Sequence, residues 1–410
     1  MLTLTKSPKA NGTIKSVPED FVVEEITKQG FPIGIGKHYT GEELGFKESA
    51  EGAFSFFVLQ KRNWNTIQAL KQVARIFRKG IKSVNFAGTK DRIAVTAQLC
   101  SIHGVAPEQL LSLHIKDISI NGAWRAASPI KLGDLAGNRF AIKVRGVSAA
   151  DFENMKASRD ELEAHGVFPN YFGEQRFGNR GNNIDIGISI LKGDFERAAM
   201  LFLADHSNEI SIEAVEARER LEREHDFRKA LEYFPKYLKY ERTVIDYLAR
   251  FPENYANAMR KLPRSLLLMF VHSVESEIFN MEVEERVKAG LVAPGEGDIV
   301  FDASELFFDQ NAAHAYNGKF KSYPVGNLVG YNTTPNQFEK SILEKLGIST
   351  EDFKVKGMPE LNCKGTTRVL FAPYAAFTMN YDEKSSTAEI RFSLPSGSYA
   401  TVLLRELIDV

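Results

Sequence analysis

Strand-like patterning occupies both ends of this chain and is largely missing between them, which limits the folds open to it. Short β-branched and aromatic runs at Val22–Ile26, Phe54–Leu59, Ile93–Cys100, Ile115–Ile120 and Phe140–Val144 read as strands. A polar helix pattern from about Asp151 to His165-Gly166 ends this part. From Asn183 to about Val287 the pattern is largely helical and heavily charged; Ile210–Lys229 reads as a solvated face and Leu266–Phe279 as a buried helix. A mixed region follows to Pro373. Strand alternation then returns in Thr387–Leu394, followed by the turn Pro395-Ser396-Gly397-Ser398 and a helix over Tyr399–Leu407. The C-terminal stretch looks more like the first part than the middle. The pattern predicts an α+β chain in which a discontinuous sheet domain, 1–166 with 374–410, carries an inserted domain, 167–373. At 410 residues and 43% hydrophobic content, there is ample core for both.

Several function classes fall away. No apolar run approaches the ~20 residues that span a bilayer, and the polar start MLTLTKSPKANGTIK does not supply a signal peptide. Cys100 and Cys363 stand in unrelated contexts and the eight histidines are scattered, so reduced thiols, a cytoplasmic location and no metal are expected. Gly34-Ile35-Gly36-Lys37 lacks the upstream glycine of a phosphate loop, which removes a GTPase reading of Thr89-Lys90-Asp91.

Net charge is −1, but its distribution is uneven. Lys61, Arg62, Lys71, Arg75, Arg78, Lys79, Lys82, Lys90 and Arg92 share their segment with one anion, Asp91. Part of it is a clear helix, with Asn65 or Thr66 as cap, an apolar stripe of Ile67, Leu70, Val73, Ala74 and Phe77, and Gly80 at its end. Such a field suits phosphate contacts and equally suits a solvated helix face. Asp91 lies in a turn between two strands, with Lys90 and Arg92 on either side. Flanking cations favour the charged carboxylate, the form a nucleophile or base requires. Capping a surface turn is the commoner use of Asp in such a place.

Five blocks, in order, carry a family likeness. Phe86–Gln98 (FAGTKDRIAVTAQ) closely resembles the signature of the TruD family of tRNA pseudouridine synthases. Lys15–Phe21 is similar to its Lys-x-x-Pro-Glu-Asp-Phe motif, and Leu135–Phe140 to its Gly-Asn-x-Phe element. Asn170–Gly178 (NYFGEQRFG) resembles the signature opening the inserted domain, and Glu389–Leu407 the C-terminal segment. Residues from roughly 195 to 360 match weakly, and Asp205–Pro263 resembles an extra helical stretch of longer archaeal and eukaryotic members.

The resemblance implies a catalytic domain with a mixed, mainly antiparallel sheet and an inserted α/β TruD-type domain. It implies a cofactor-free, metal-free isomerase acting on tRNA, with uridine 13 as target. The uridine N-glycosidic bond breaks, the base rotates, and C5 rejoins C1′. By position, Asp91 is the implied catalytic aspartate and Lys15 its partner. Asn138, Phe140 and Tyr399 are the implied uridine contacts, with Lys90 and Arg92 flanking; Tyr399 stands where members usually carry Phe. Asn170–Gly178 reads as a hinge, with Arg176 able to reach phosphate. The contrasting class is a non-catalytic RNA-binding module, which has no need of a carboxylate facing RNA.

Overall fold

The computed structural model describes residues 1–49, 51–304, 307–308, 312–319 and 321–409. Six strands come before the first long connection: β1 (Phe21–Thr27), β2 (Phe54–Arg62), β3 (Val84–Phe86), β4 (Val95–His103), β5 (Ile118–Ala126) and β6 (Leu135–Arg145). A short β7 (Val167–Pro169) leads into the helical middle. There β8 (Ile299–Ser304), β9 (Phe307–Phe308), β10 (His314–Ala315), β11 (Ser322–Leu328) and β12 (Thr366–Val369) form a second sheet. The chain returns through β13 (Phe371–Pro373), β14 (Ala375–Asp382) and β15 (Thr387–Pro395).

The eight-stranded sheet runs β14-β15-β6-β1-β4-β2-β5, with β3 alongside β4. Its β1–β4 pair is parallel and its other pairs are antiparallel. The last two strands thus complete a sheet that the first strands began, consistent with the pattern shared by the two ends. β7 pairs antiparallel with β13, so the chain leaves and re-enters this region through adjacent strands.

Packing follows amphipathic faces. The Thr66–Ile76 helix has Asn65 as its cap, whose side chain accepts the Ile67 and Gln68 N–H groups. Its Ala69, Leu70, Val73 and Ala74 pack with Phe57, Leu59 and Cys100 from the sheet. The Ala149–His165 helix buries Phe152, Met155 and Leu162 against a core that includes Phe21, Phe140 and Phe392. The middle builds its own helical core. One 26-residue helix, Arg264–Ala289, belongs to both: Leu267, Phe270 and Val274 lie in the helical core, and Phe279 and Val283 in that of the sheet. Two differences from expectation stand out. The charged stretch Ile210–Lys229 breaks at His225 (φ 47°) into helices Ile212–Glu224 and Phe227–Tyr233. It also is not uniformly solvated, because Arg218 is buried and bonded to Glu241 at 2.7 Å.

Candidate active site

The parallel register of β1 and β4 covers only Val22–Glu24 against Val95–Ala97. Beyond it the Glu25 carboxylate takes over, accepting the Leu99 N–H at 3.0 Å with one oxygen. Its other oxygen receives Lys90 Nζ at 2.6 Å, so a buried ion pair fills the place where the two strands part. Above it lies the turn between β3 and β4, tied down on several sides. The Lys90 N–H donates to Thr66 Oγ1 at 2.9 Å, the Gln98 amide donates to Gly88 O at 2.9 Å, and Lys61 Nζ donates to the Asp91 carbonyl at 2.8 Å. Lys61 is only 1% exposed, and burial pushes its pKa down to about 8. Those backbone anchors leave the Asp91 side chain free to point outward, 44% exposed.

Its Oδ2 lies 2.7 Å from Lys15 Nζ. Lys15 adopts φ 60°, a left-handed conformation that non-glycine residues seldom take and that the surroundings must enforce. What enforces it is visible. Asp20 is fully buried, accepts the Val17 N–H at 3.1 Å, and receives a two-pronged contact from Arg145 at 2.8 and 2.6 Å. The Arg145 hydrogen bond holds the Asp20 carboxyl below the usual carboxylate range. Thr13 pairs with Arg145 on the other side of the turn. The Lys15 ammonium also sits 4.1 Å from the Phe21 ring centroid, a cation–π contact that helps fix its direction.

Phe21 leads to the other expected residues. Its ring centroid is 6.2 Å from that of Phe140, and Phe140 is 5.4 Å from Phe392. Phe140 is therefore a wall of the core, not an open stacking face. Asn138 lies two residues along β6, and strand alternation puts it on the same face. Its Oδ1 is buried with no hydrogen-bond partner among the described residues. Tyr399 is 39% exposed, with its ring 6.4 Å from Phe172 and 5.9 Å from the Arg368 guanidinium.

The flanking cations separate. Arg92 is exposed with no ion pair among the described residues, but Lys90 turns inward to Glu25 and presents no charge to a substrate. The expectation of Asp91 between two cations is corrected to Asp91 against Lys15, a residue 76 positions away. Lys61, counted in the basic field, likewise belongs to the floor. Glu25, Thr66, Gln98 and Lys61 were not singled out for this site, because their role depends on pairings across strands that spacing does not encode.

His272, Glu275 and Cys363 come together with their donor atoms within 4.8 Å of one another, a grouping that no spacing in the sequence announces. His272 Nδ1 and Glu275 Oε2 are 2.6 Å apart, and burial pushes the Cys363 thiol up to about 12. These groups satisfy one another beside the helical core, and we assign no metal to them.

The family model described as tRNA pseudouridine synthase D (TruD) matches residues 1–407. Archaeal relatives named probable tRNA pseudouridine synthase D include that of Methanosarcina mazei, 34% identical over 99% of this chain and 95% of its own. That of Methanopyrus kandleri is 37% identical over 87% and 86%. The solved structure of the tRNA pseudouridine synthase D from Methanosarcina mazei superposes with a TM-score of 0.80 at 32% identity, covering 100% of this chain and 96% of that one. Fold and relatives define the class as pseudouridine synthase. Within it, the chain belongs to the tRNA pseudouridine synthase D (TruD) family. No helix among the described residues is long and apolar enough to cross a membrane.

Proposed function

We propose that this chain isomerises uridine to pseudouridine in tRNA, with Asp91 as the reacting carboxylate and uridine 13 as its target. The observation that carries the reading is the Lys15–Asp91 pair, in which a strained lysine holds an outward-facing carboxylate above an anchored turn. The ionised carboxylate either attacks C1′ or removes the C2′ proton. In both cases the N1–C1′ bond breaks and uracil leaves with the electron pair, its charge spread over N1, O2 and O4. After rotation C5 bonds to C1′ as the ester bond from Asp91 to C1′ breaks or, on the other route, as Asp91 returns its proton to C2′. C5 then loses its proton and N1 takes one up, so atoms and charge balance without a cofactor. Lys15 stabilises the Asp91 charge and then that of the departing base. The unpartnered Oδ1 of Asn138 suits the uracil N3–H, with the Phe21–Phe140 wall below it.

Under the same reading, the target nucleotide leaves its stack to reach Asp91, at a cost of a few kcal/mol. Arg92 and the exposed cations of the Thr66–Ile76 helix offset this cost by holding phosphates. The domain division at 166/167 and 373/374 is kept, supported by the β7–β13 pairing at the two ends of the insertion. A cytoplasmic location follows from the substrate. The test is tritium release from 5-tritiated uridine in tRNA. Wild type should release it from one uridine and Asp91→Asn should release none while still binding tRNA; release by the variant would remove Asp91 from the reaction.

A further inference from the structure

The Asp205–Pro263 stretch sends Leu221, Phe234, Val244 and Leu248 into the helical core but leaves other large apolar groups in water. Ile210 and Ile212 are 94% and 76% exposed, the most exposed isoleucines among the described residues, and Tyr237 and Tyr240 are 55% and 52% exposed. These four lie together. Ser211, between the two isoleucines, has its Oγ 2.7 Å from the Tyr237 hydroxyl. Tyr240 follows three residues on, in the first turn of the Lys239–Arg250 helix.

Ordered backbone presents this face on both sides. Buried Arg218 holds Glu209 Oε2 at 3.3 Å, and Ser211 Oγ accepts the Ala214 N–H at 3.4 Å as cap of the Ile212–Glu224 helix. The turn that carries Tyr237 is held by Arg242, whose Nη1 donates to Leu231 O at 3.0 Å and Phe234 O at 2.6 Å. An apolar face fixed in this way stays hydrated until a partner covers it, and covering it costs little further ordering. The charges around it point to the partner. Glu213 and Glu216 share the helix face next to Ile212, while Lys236 and Lys239 flank Tyr237; all four are exposed, with no ion pair among the described residues. The face therefore has an acidic side, an apolar middle and a basic side. A two-fold axis through its centre brings each acidic side against a basic one. RNA suits it less, because the glutamates repel phosphate and isoleucine offers a base no aromatic surface.

We propose that two copies of this chain associate through this face. Ile210, Ile212, Tyr237 and Tyr240 form the centre of the interface, and Glu213 and Glu216 of each copy oppose Lys236 and Lys239 of the other. The inference stands whether or not Asp91 is the reacting carboxylate, since no contact among the described residues joins this face to the Asp91 turn.

The experiment is sedimentation velocity of the full chain across about 1–100 μM, without RNA. Wild type should move from monomer to dimer over that range. Changing Ile210 and Ile212 together to Asp should weaken association about tenfold or more. Two charge reversals make the decisive pair, Glu213→Lys with Glu216→Lys in one variant and Lys236→Glu with Lys239→Glu in the other. Each alone should stay monomeric, because like charges then face each other across the axis. An equimolar mixture should dimerise again, which a misfolded variant could not do. Wild type that remains monomeric at every concentration would overturn the interface, as would a mixture that stays monomeric while wild type dimerises. Monomeric wild type together with a lower salt slope of tRNA binding in the Lys236→Glu, Lys239→Glu variant would also overturn it and give the face to RNA.

Discussion

The basic segment Lys61–Arg92 divides into a floor and an outer face that use the same kind of charge differently. On the floor, Lys61 and Lys90 are buried: Lys61 donates to the Asp91 carbonyl and, at 3.5 Å, to that of Lys90, and Lys90 pairs with the Glu25 carboxylate. On the outer face, Lys71, Arg75 and Arg78 lie along or just after the Thr66–Ile76 helix and form no ion pair among the described residues. A buried cation acts through geometry: removing it leaves a partner unsatisfied and lets the turn shift. An exposed one acts through its field, which salt screens over about 10 Å. Variants on the floor should therefore change turnover, and variants on the outer face should change binding.

The largest effect lies above the floor. Asp91→Asn keeps shape and removes charge, and should lower the single-turnover rate by about four orders of magnitude or more with tRNA affinity within about threefold. Lys15→Met comes next. It removes the charge beside Asp91 and the cation–π contact with Phe21, and should cost about 100-fold in rate with a modest weakening of binding. Full activity in Lys15→Met would leave the strained backbone at that residue without a purpose.

Lys61→Met tests the floor itself. It should cost about tenfold in rate, as the turn is deprived of one buried hydrogen bond worth about 1–3 kcal/mol, without altering the salt dependence of binding. Its pH signature is separate. Lys61 has a folded pKa of about 8 against an ordinary 10.5, so between those values the unfolded chain binds more protons and stability rises with pH. Below about pH 8 both states are protonated and the cost of burying the charge is fully present. Urea unfolding should show wild type gaining on Lys61→Met as pH rises from about 8 towards 10.5; parallel curves would mean that Lys61 is not held as a buried cation.

Local signals were legible where one stretch of chain decides them. The helix at Thr66–Ile76 was readable, with Asn65 the cap of the two residues offered, although it ends at Phe77 and not at Gly80; the return of the sheet at Thr387–Leu394 was readable too. β5 was misplaced. Expected at Ile115–Ile120, it runs Ile118–Ala126, because Asp117 turns with φ 62° and the strand continues through Asn121-Gly122. At Gly122 the backbone comes close to another segment: a Cβ there would stand 2.1 Å from Tyr39 O. Around Asp91 the difficulty was of the same kind. Lys90 is adjacent in sequence, but its side chain turns to the other side of the loop, and its true partner Glu25 is 65 residues away. The motif Lys15–Phe21 pointed to the lysine that lies against Asp91, but only the folded chain shows that the Asp20–Arg145 contact holds Lys15 in its strained pose.

The smallest expected effect on chemistry belongs to the outer face, and it decides whether the comparison holds. Changing Lys71, Arg75 and Arg78 together to Gln should leave the single-turnover rate at saturating tRNA within about twofold, since none touches the turn that carries Asp91. Each phosphate neutralised by one of these cations contributes about 0.7 to 0.9 to the salt slope, so the slope of the triple variant should be lower by roughly 2 to 3. Its affinity at low salt should fall by more than at high salt, where screening has already removed that contribution from wild type. An unchanged slope would send the RNA across another face of the sheet domain and leave these three residues as solvated helix surface. A fall in the saturated rate would instead mean that the helix transmits strain to Thr66 and, through its hydroxyl on the Lys90 N–H, to the turn itself.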